Sequence, residues 1–583
     1  MCGRRTVALV VALLGALLAA GVARAQPIVD IRDGGFNHAF GTALAELGGD
    51  LLVTTRNSSY YGDGHLVDET TGAFIRTFAN PNTSIYDFGY SAASVGGNAL
   101  FGAVGRGAGA GAALLFDAGT GALIRTFSNP GDPNARFGWA VAALGTNVLV
   151  GSPHPSLSGA VYLFDGATGA LLRTFQAPTP TNDDFFGSSL AVLGGNVLVG
   201  ALGTNGSVGA AYLFDGATGA LMQTFSNPSP ADAGAFGAAI AVAGGDVLVG
   251  APWHDGTGVN IGIAHLFDPA TGGLIRSFSP PTAADYQHFG GSFAIFGGHV
   301  LIAAQKATFG GDSSDPLAYV FDVATGALER TLWNPSPVYY DYRYGSAVAV
   351  VDGKLVVSNP REGDSDSGAV YVFCGGATGC AACETCGPGG ACIVAPHPTC
   401  HARISGRTPL RIVNRVTSDD RDLVSWRTGG EFTGTLGFSA PTEAEPGNDY
   451  TLCLYDESGG PPTLLFDAVA PAGGTCGTGP CWKPTPNCSG ATCGYTYNDK
   501  DSTPDGVRKL SALRSFAGAT TRTLFKLRAR GANLSSRPNG LPPLPLPLPL
   551  RLQIQISGGR CWEVEYTVAS KNTAEVFKAD VGP

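Results

Sequence analysis

One stretch of fourteen residues is rewritten along the chain. "YLFDGATGALLRTF" occupies Tyr162–Phe175 and "YLFDGATGALMQTF" occupies Tyr212–Phe225. Related copies cover Leu114–Phe127, His265–Phe278 and Tyr319–Leu332, with a worn copy at His65–Phe78 and a truncated one at Tyr371–Cys380. An aromatic-Gly pair recurs in step, at Phe40-Gly41, Phe88-Gly89, Phe137-Gly138, Phe186-Gly187, Phe236-Gly237, Phe289-Gly290 and Tyr344-Gly345. The spacings are 48, 49, 49, 50, 53 and 55 residues. A fixed period in this range restricts the chain to a solenoid, a propeller or an array.

The content of one repeat decides among these. From Phe186 the chain reads "FGSSLAVLGGNVLVGAL" and then "GSVGAAYLFDGATGALMQTF". These are four short apolar runs joined by Gly-Gly-Asn and Asp-Gly-Ala-Thr-Gly turn chemistry. Runs this short, rich in Val, Leu, Phe and Ala, predict strands; a two-helix repeat would need longer amphipathic runs. Seven copies of a four-stranded meander predict an all-β chain built on a seven-bladed β-propeller. The seventh copy lacks a fourth strand after Thr378-Gly379. "PIVDIRDGGFNHAFG" (Pro27–Gly41) aligns with "LIRTFSNPGDPNARFG" (Leu123–Gly138), so Ile28–Ile31 is expected to complete the last blade. The small residues after each Phe-Gly, such as Ala140, Ala142 and Ala143, suit the crowded innermost strand.

Around this ring the chain divides into four expected regions. Residues 1–25 have the anatomy of a signal peptide: Arg4 and Arg5, an apolar run from Val7 to Val22, and the small-residue site Ala23–Ala25. Either general or twin-arginine export fits. Residues 26–373 form the propeller, residues 374–401 a Cys-rich linker, and residues 402–583 a β-sandwich-like domain. In the last, "TLCLYD" (Thr451–Asp456), "LFKLRAR" (Leu524–Arg530), "LRLQIQIS" (Leu550–Ser557) and "CWEVEYTV" (Cys561–Val568) read as half-buried strands. There, Leu550, Leu552, Ile554 and Ile556 oppose Arg551, Gln553 and Gln555. No second apolar segment approaches a membrane-spanning length. After Cys2, the cysteines are Cys374, Cys380, Cys383, Cys386, Cys392, Cys400, Cys453, Cys476, Cys481, Cys488, Cys493 and Cys561. Even, clustered counts in an exported chain make all twelve disulfide candidates, with connectivity open. Cys380, Cys383 and Cys386 also have part of the spacing of an iron–sulfur run, without its C-x3-C-P end.

The aromatic-Gly pair followed by "VGSP" (Val150–Pro153), "VGAP" (Val249–Pro252) or "VSNP" (Val357–Pro360) resembles the FG-GAP repeat. The resemblance covers residues 26–373 and implies the seven-bladed propeller of integrin α heads, with the same closure. That family places calcium loops between the first two strands of several blades. Here the position holds only "LGTN", "LGGN", "AGGD", "FGGH" or "VDGK", so no such site carries over. "YLFDGATGALLRTF" is also similar to the repeat of pyrroloquinoline-quinone propellers, but Phe127, Phe175, Phe225, Phe278 and Leu332 stand where those blades carry a docking Trp.

Charge and motifs bound the function. Residues 26–373 carry 13 Lys and Arg against 28 Asp and Glu, a poor surface for nucleic acid. The nine His form no H-E-x-x-H, and no G-x-S-x-G elbow occurs. The recurring Asp117, Asp165, Asp215, Asp268 and Asp322 read as turn formers, and His154 and His254 as equivalents without a third ligand. Function is expected on the loops, where the copies differ. Tyr339, Tyr340 and Tyr342, with Tyr344, are either a contact surface or the packing of a blade corner. Asp499, Asp501 and Asp505, before Gly506, supply three carboxylates to a candidate calcium loop or to a hairpin turn; calcium is the one cofactor suggested. "GDSDSG" (Gly363–Gly368) is a shorter fragment of that kind. The expectation is a secreted, periplasmic or cell-surface monomer that binds an extracellular protein or glycan and is not an enzyme. Two other readings stay open. One is a quinone- or metal-dependent enzyme module on the propeller axis; the other is a structural component of the envelope.

Overall fold

The computed structural model describes residues 27–32, 39–56, 62–81, 87–105, 111–231, 233–305, 317–335, 343–360, 367–375, 384–386, 392–394, 401–403, 408–414, 423–427, 450–458, 462–470, 475–476, 479–480, 482–484, 492–498, 507–517, 520–530, 544–556 and 561–580. They form two compact units: Pro27–Gly379 with Cys386–Ala391, and Cys380–Thr385 with Cys392–Pro583. No helix among them is long and apolar enough to cross a membrane.

In the first unit the repeats fold as four-stranded antiparallel sheets, seven among the described residues. Blade 4 shows the pattern: Phe186–Leu193, Asn196–Ala201, Ala210–Asp215 and Leu221–Ser226, paired in chain order. The first strands of blades 1 to 7 begin at Leu44, Phe88, Ala140, Phe186, Ala239, Phe289 and Val348. Each of these strands touches its neighbours in a cycle, and the seventh returns to the first. The unit is a β-propeller. Burial follows position: the first strand of blade 3 is half-buried throughout, its second almost wholly buried, and its fourth mostly exposed.

Closure is made by the first described strand of the chain. Pro27–Ile31 lies antiparallel to Ala369–Phe373, with Val29 opposite Val372 and Ile31 opposite Val370. Its register skips one residue between Pro27 and Val29. The outer pair of blade 2 skips at the same place, with Leu123 opposite Phe116 and Arg125 opposite Leu115. The chain's first described strand thus copies the repeat's fourth strand, irregularity included. Val29 and Ile31 join Phe40, Leu51, Val53 and Val67 of blade 1 in one buried cluster.

The core lies between blades. Leu149, Val161, Leu163 and Phe175 of blade 3 pack against Phe186, Val197, Val199 and Phe214 of blade 4. Each such side chain contributes about 1.5–3 kcal/mol when fully buried. The Phe-Gly pair has a steric reason to recur. Gly187 has φ +91°, and a Cβ there would come within 2.9 Å of the Ala160 carbonyl of the preceding blade. A Cβ on Gly151, in the "VGSP" of blade 3, would run into the backbone carbonyl of Gly187. The two motif glycines are therefore opposite sides of one close backbone contact between blades.

The second unit carries a five-stranded and an eight-stranded sheet. In the first, Leu550–Ile556 sits between Tyr450–Asp456 and Cys561–Tyr566. Trp426 Nε1, from the eight-stranded sheet, donates to Tyr566 Oη at 3.1 Å, which donates to the Thr408 carbonyl at 2.8 Å. Simple alternation fails at one point. Gln553, expected on the solvent side, is fully buried, because its Nε2 donates to Glu563 Oε2 at 3.1 Å. Arg551 beside it bridges Glu457 at 2.7 Å and Glu563 at 3.0 Å.

Candidate functional site

The meander gives the ring two ends. One carries the short turns, between first and second strands and between third and fourth. The other carries the longer loops, between second and third strands and from each blade to the next.

At the turn end the recurring aspartates are structural. Asp165 Oδ1 accepts from the Thr168 backbone N–H at 2.6 Å and from Thr168 Oγ1 at 2.7 Å. The same pair of bonds recurs at Asp117, Asp215, Asp268 and Asp322. These bonds, led by the Thr hydroxyl at Asp165, hold the carboxyl below its ordinary pKa. The turn then presents its carbonyls outward. Arg125 of blade 2 donates to the Thr168 carbonyl at 2.9 Å and also to Ala167, and Arg173 of blade 3 donates to Thr218 at 2.6 Å. Arg276 and Arg76 do likewise. In blades 1, 2, 3 and 5 the "R" of one copy and the turn of the next are thus two halves of a clamp between neighbouring blades.

At the loop end the copies diverge. The residue after each aromatic-Gly pair is Thr42, Ser188, Ala238, Gly291 or Ser346 in five blades, but Tyr90 and Trp139 in blades 2 and 3. Their rings meet at 4.7 Å between centroids. The Arg56 guanidinium lies 5.6 Å over Tyr90, with its Nε donating to Asp87 at 2.9 Å. Arg136 lies 5.1 Å over Trp139 and 5.8 Å over Phe185. A ladder of arginines and aromatics, all half-buried, thus crosses four consecutive blades. Burial pushes the Tyr90 hydroxyl up to about 12, against the pull of Arg56 and Arg136, so it stays a donor at neutral pH. Such faces stack on planar groups and sugar rings, while guanidinium pairs with carboxylates.

The loops beside the ladder are pinned by a buried carboxylate. Asp184 Oδ1 accepts from Gly159 N at 3.1 Å and Phe186 N at 3.0 Å, and its Oδ2 accepts from Ser158 Oγ at 2.7 Å. These bonds tie the blade 3 loop to the start of blade 4.

No family model matches the chain, and no curated protein shows detectable similarity to it.

Several sequence candidates lie outside the described residues: Tyr339, Tyr340 and Tyr342; Asp499, Asp501 and Asp505; and Cys380, Cys383, Cys400, Cys481 and Cys488. Cys386, Cys392, Cys476, Cys493 and Cys561 lie on strands whose side chains are likewise outside the description. Cys374 and Cys453 are disulfide-bonded. His154 and His254 occupy equivalent loops two blades apart. His154 Nδ1 accepts from Ser156 N at 3.0 Å and Leu157 N at 2.9 Å, capping a turn. Tyr344 is buried with Tyr371 at 6.2 Å between rings, the packing role. Sequence reasoning missed the ladder, although its signal was present: Tyr90 and Trp139 break the small-residue rule at one repeat position.

Proposed function

We propose that the chain is an exported, monomeric binding protein with an FG-GAP-type propeller, presenting the loop end of its ring to an extracellular protein or glycan. The ladder of Arg56, Tyr90, Trp139, Arg136 and Phe185 carries this reading. It is built from residues the repeat does not require, and it combines stacking faces with fixed cations. The turn end, in contrast, is largely consumed by contacts between blades. The Arg-aromatic chemistry favours a ligand with planar or ring faces and carboxylate groups. Glycan-array and pull-down screens with the wild type, Trp139→Ala and Arg136→Ala test this. The expected result is a ligand whose affinity falls at least about tenfold in both variants, as loss of a central aromatic or Arg anchor does. No ligand in either screen, together with a positive hydrolase screen, contradicts the proposal.

A further inference from the structure

Blade 6 departs from the repeat at two places on the turn end, and both departures meet the same recurring aspartate. The first residue of the second strand is Asn98, Asn147 or Asn196 in blades 2 to 4 and Asp50 or Asp246 in blades 1 and 5, but His299 in blade 6. The residue skipped in the outer register is Ile75, Ile124, Leu172, Met222 or Ile275 in the first five blades, all more than 40% exposed. In blade 6 it is Glu329. Thirty residues apart in sequence, His299 and Glu329 converge on Asp322.

Three potential ligand side chains meet at this point of the turn end. One atom from each of His299, Asp322 and Glu329 lies within 4.8 Å of the other two. His299 Nδ1 and Glu329 Oε2 are 2.7 Å apart, an ion-pair contact without hydrogen-bond alignment, and both atoms are shielded from solvent. A metal ion can take the place of the proton such a pair shares, since imidazole nitrogen and carboxylate oxygen are both ligand atoms. Around them the support is in place. Thr325 donates to Asp322 Oδ1 from its N at 2.6 Å and its Oγ1 at 2.5 Å, which fixes the carboxylate. The Phe296 ring lies 5.4 Å from the His299 ring. Val323 N donates to the Gly298 carbonyl at 2.9 Å and ties the two turns together. The side chains of His299 and Glu329 remain 22% and 24% exposed, which leaves a path for an ion.

We propose that His299, Asp322 and Glu329 form a binding site for a divalent first-row transition ion of the zinc class. One imidazole nitrogen with two carboxylate oxygens suits zinc and its neighbours, whereas calcium takes six to eight oxygens. Bonds of about 2.0–2.2 Å to such an ion need only small side-chain rotations from the present separations. The partial exposure of both side chains lets water complete the shell. This site is on the opposite end of the ring from the ladder and stands without it.

The test uses the full mature chain, stripped with chelator and titrated with Zn2+ by calorimetry and with Co2+ by absorbance. His299→Asn and Glu329→Ile give blade 6 residues its sister blades already carry, so the fold is retained and melting in chelator checks it. The expected result is one equivalent of Zn2+, a Co2+ spectrum of low coordination number, and at least about tenfold weaker binding in each variant. Zinc should raise the melting temperature of the wild type and not of the double variant. Absence of zinc uptake, uptake unchanged in the double variant, or equal binding of Ca2+ overturns the proposal.

Discussion

The seams between blades 2, 3 and 4 and the seam that closes the ring do the same work with different materials. At the repeated seams the outer contact is an arginine against turn carbonyls, as Arg125 and Arg173 show. At the closing seam Val29 takes the arginine's place and packs toward Gly72 of the blade 1 turn. Beside it Lys354 Nζ bridges Glu69 Oε1 at 2.7 Å, with both side chains at least nine-tenths buried. Lys354 also donates to Thr70 Oγ1 at 3.2 Å. The inner contact is shared by both kinds of seam: Gly41 of blade 1 sits against Ser358 and Val370 of blade 7. The difference has a physical logic. Arg-to-carbonyl clamps fit any pair of copies, so they add stability but no address. A buried ion pair and an apolar strand fit one partner only, and they mark where the ring must shut.

The sharpest break in this comparison is on the closing strand. Ile31→Asp places a carboxylate in the blade 7–blade 1 core and should cost on the order of 4 kcal/mol or more, ending cooperative unfolding of the first unit. Denaturant titration monitored by tryptophan fluorescence and circular dichroism reads it. Lys354→Ala leaves Glu69 buried without its cation and should cost about 3–5 kcal/mol, while Lys354→Met with Glu69→Leu should recover most of that loss. An unchanged midpoint in the single variant would show that the ion pair does not hold the seam.

The shared inner contact comes next. Gly187→Ala combines a positive φ with a clash against the Ala160 carbonyl and should cost about 2–4 kcal/mol. Gly194→Ala, at φ +62° but in open space, should cost about 1 kcal/mol. Equal costs would remove the steric account of the Phe-Gly pair. Arg173→Ala, on the rim, should cost only about 1 kcal/mol, since exposed charged contacts are weak.

The smallest effect is on pH dependence. Folding lowers the pKa of Asp117, Asp165 and Asp215, chiefly through the hydroxyl of the Thr three residues on. Their contribution is complete above the unfolded value of about 3.9 and is lost as pH falls through the lowered folded values. Thr168→Val should raise the Asp165 pKa, as read by carboxyl NMR titration, and leave Asp215 unmoved.

The ring was legible because its grammar is local and repeated. Gly-Gly-Asn and Asp-x-x-Thr-Gly turns, short apolar runs and an unfinished last copy led to Ile28–Ile31 as the missing strand, which the structure extends to Pro27. What each repeated residue touches was less legible. The Arg of "LIRTF" grips a turn more than forty residues away, and nothing in its own copy shows that. The ladder was harder still, since Arg56, Tyr90, Arg136 and Phe185 become neighbours only once four blades stand side by side. Gln553 was misplaced because alternation sees neither Glu563 nor the network around it.

Native-state hydrogen exchange on the amides of Ile28–Ile31 tests the central claim most directly. If this strand closes the ring, its hydrogen-bonded amides should open with nearly the same free energy as those of Ala369–Phe373, its partner. Exchange at close to the unprotected rate, while the partner strand stays fully protected against the second strand of its blade, would contradict closure.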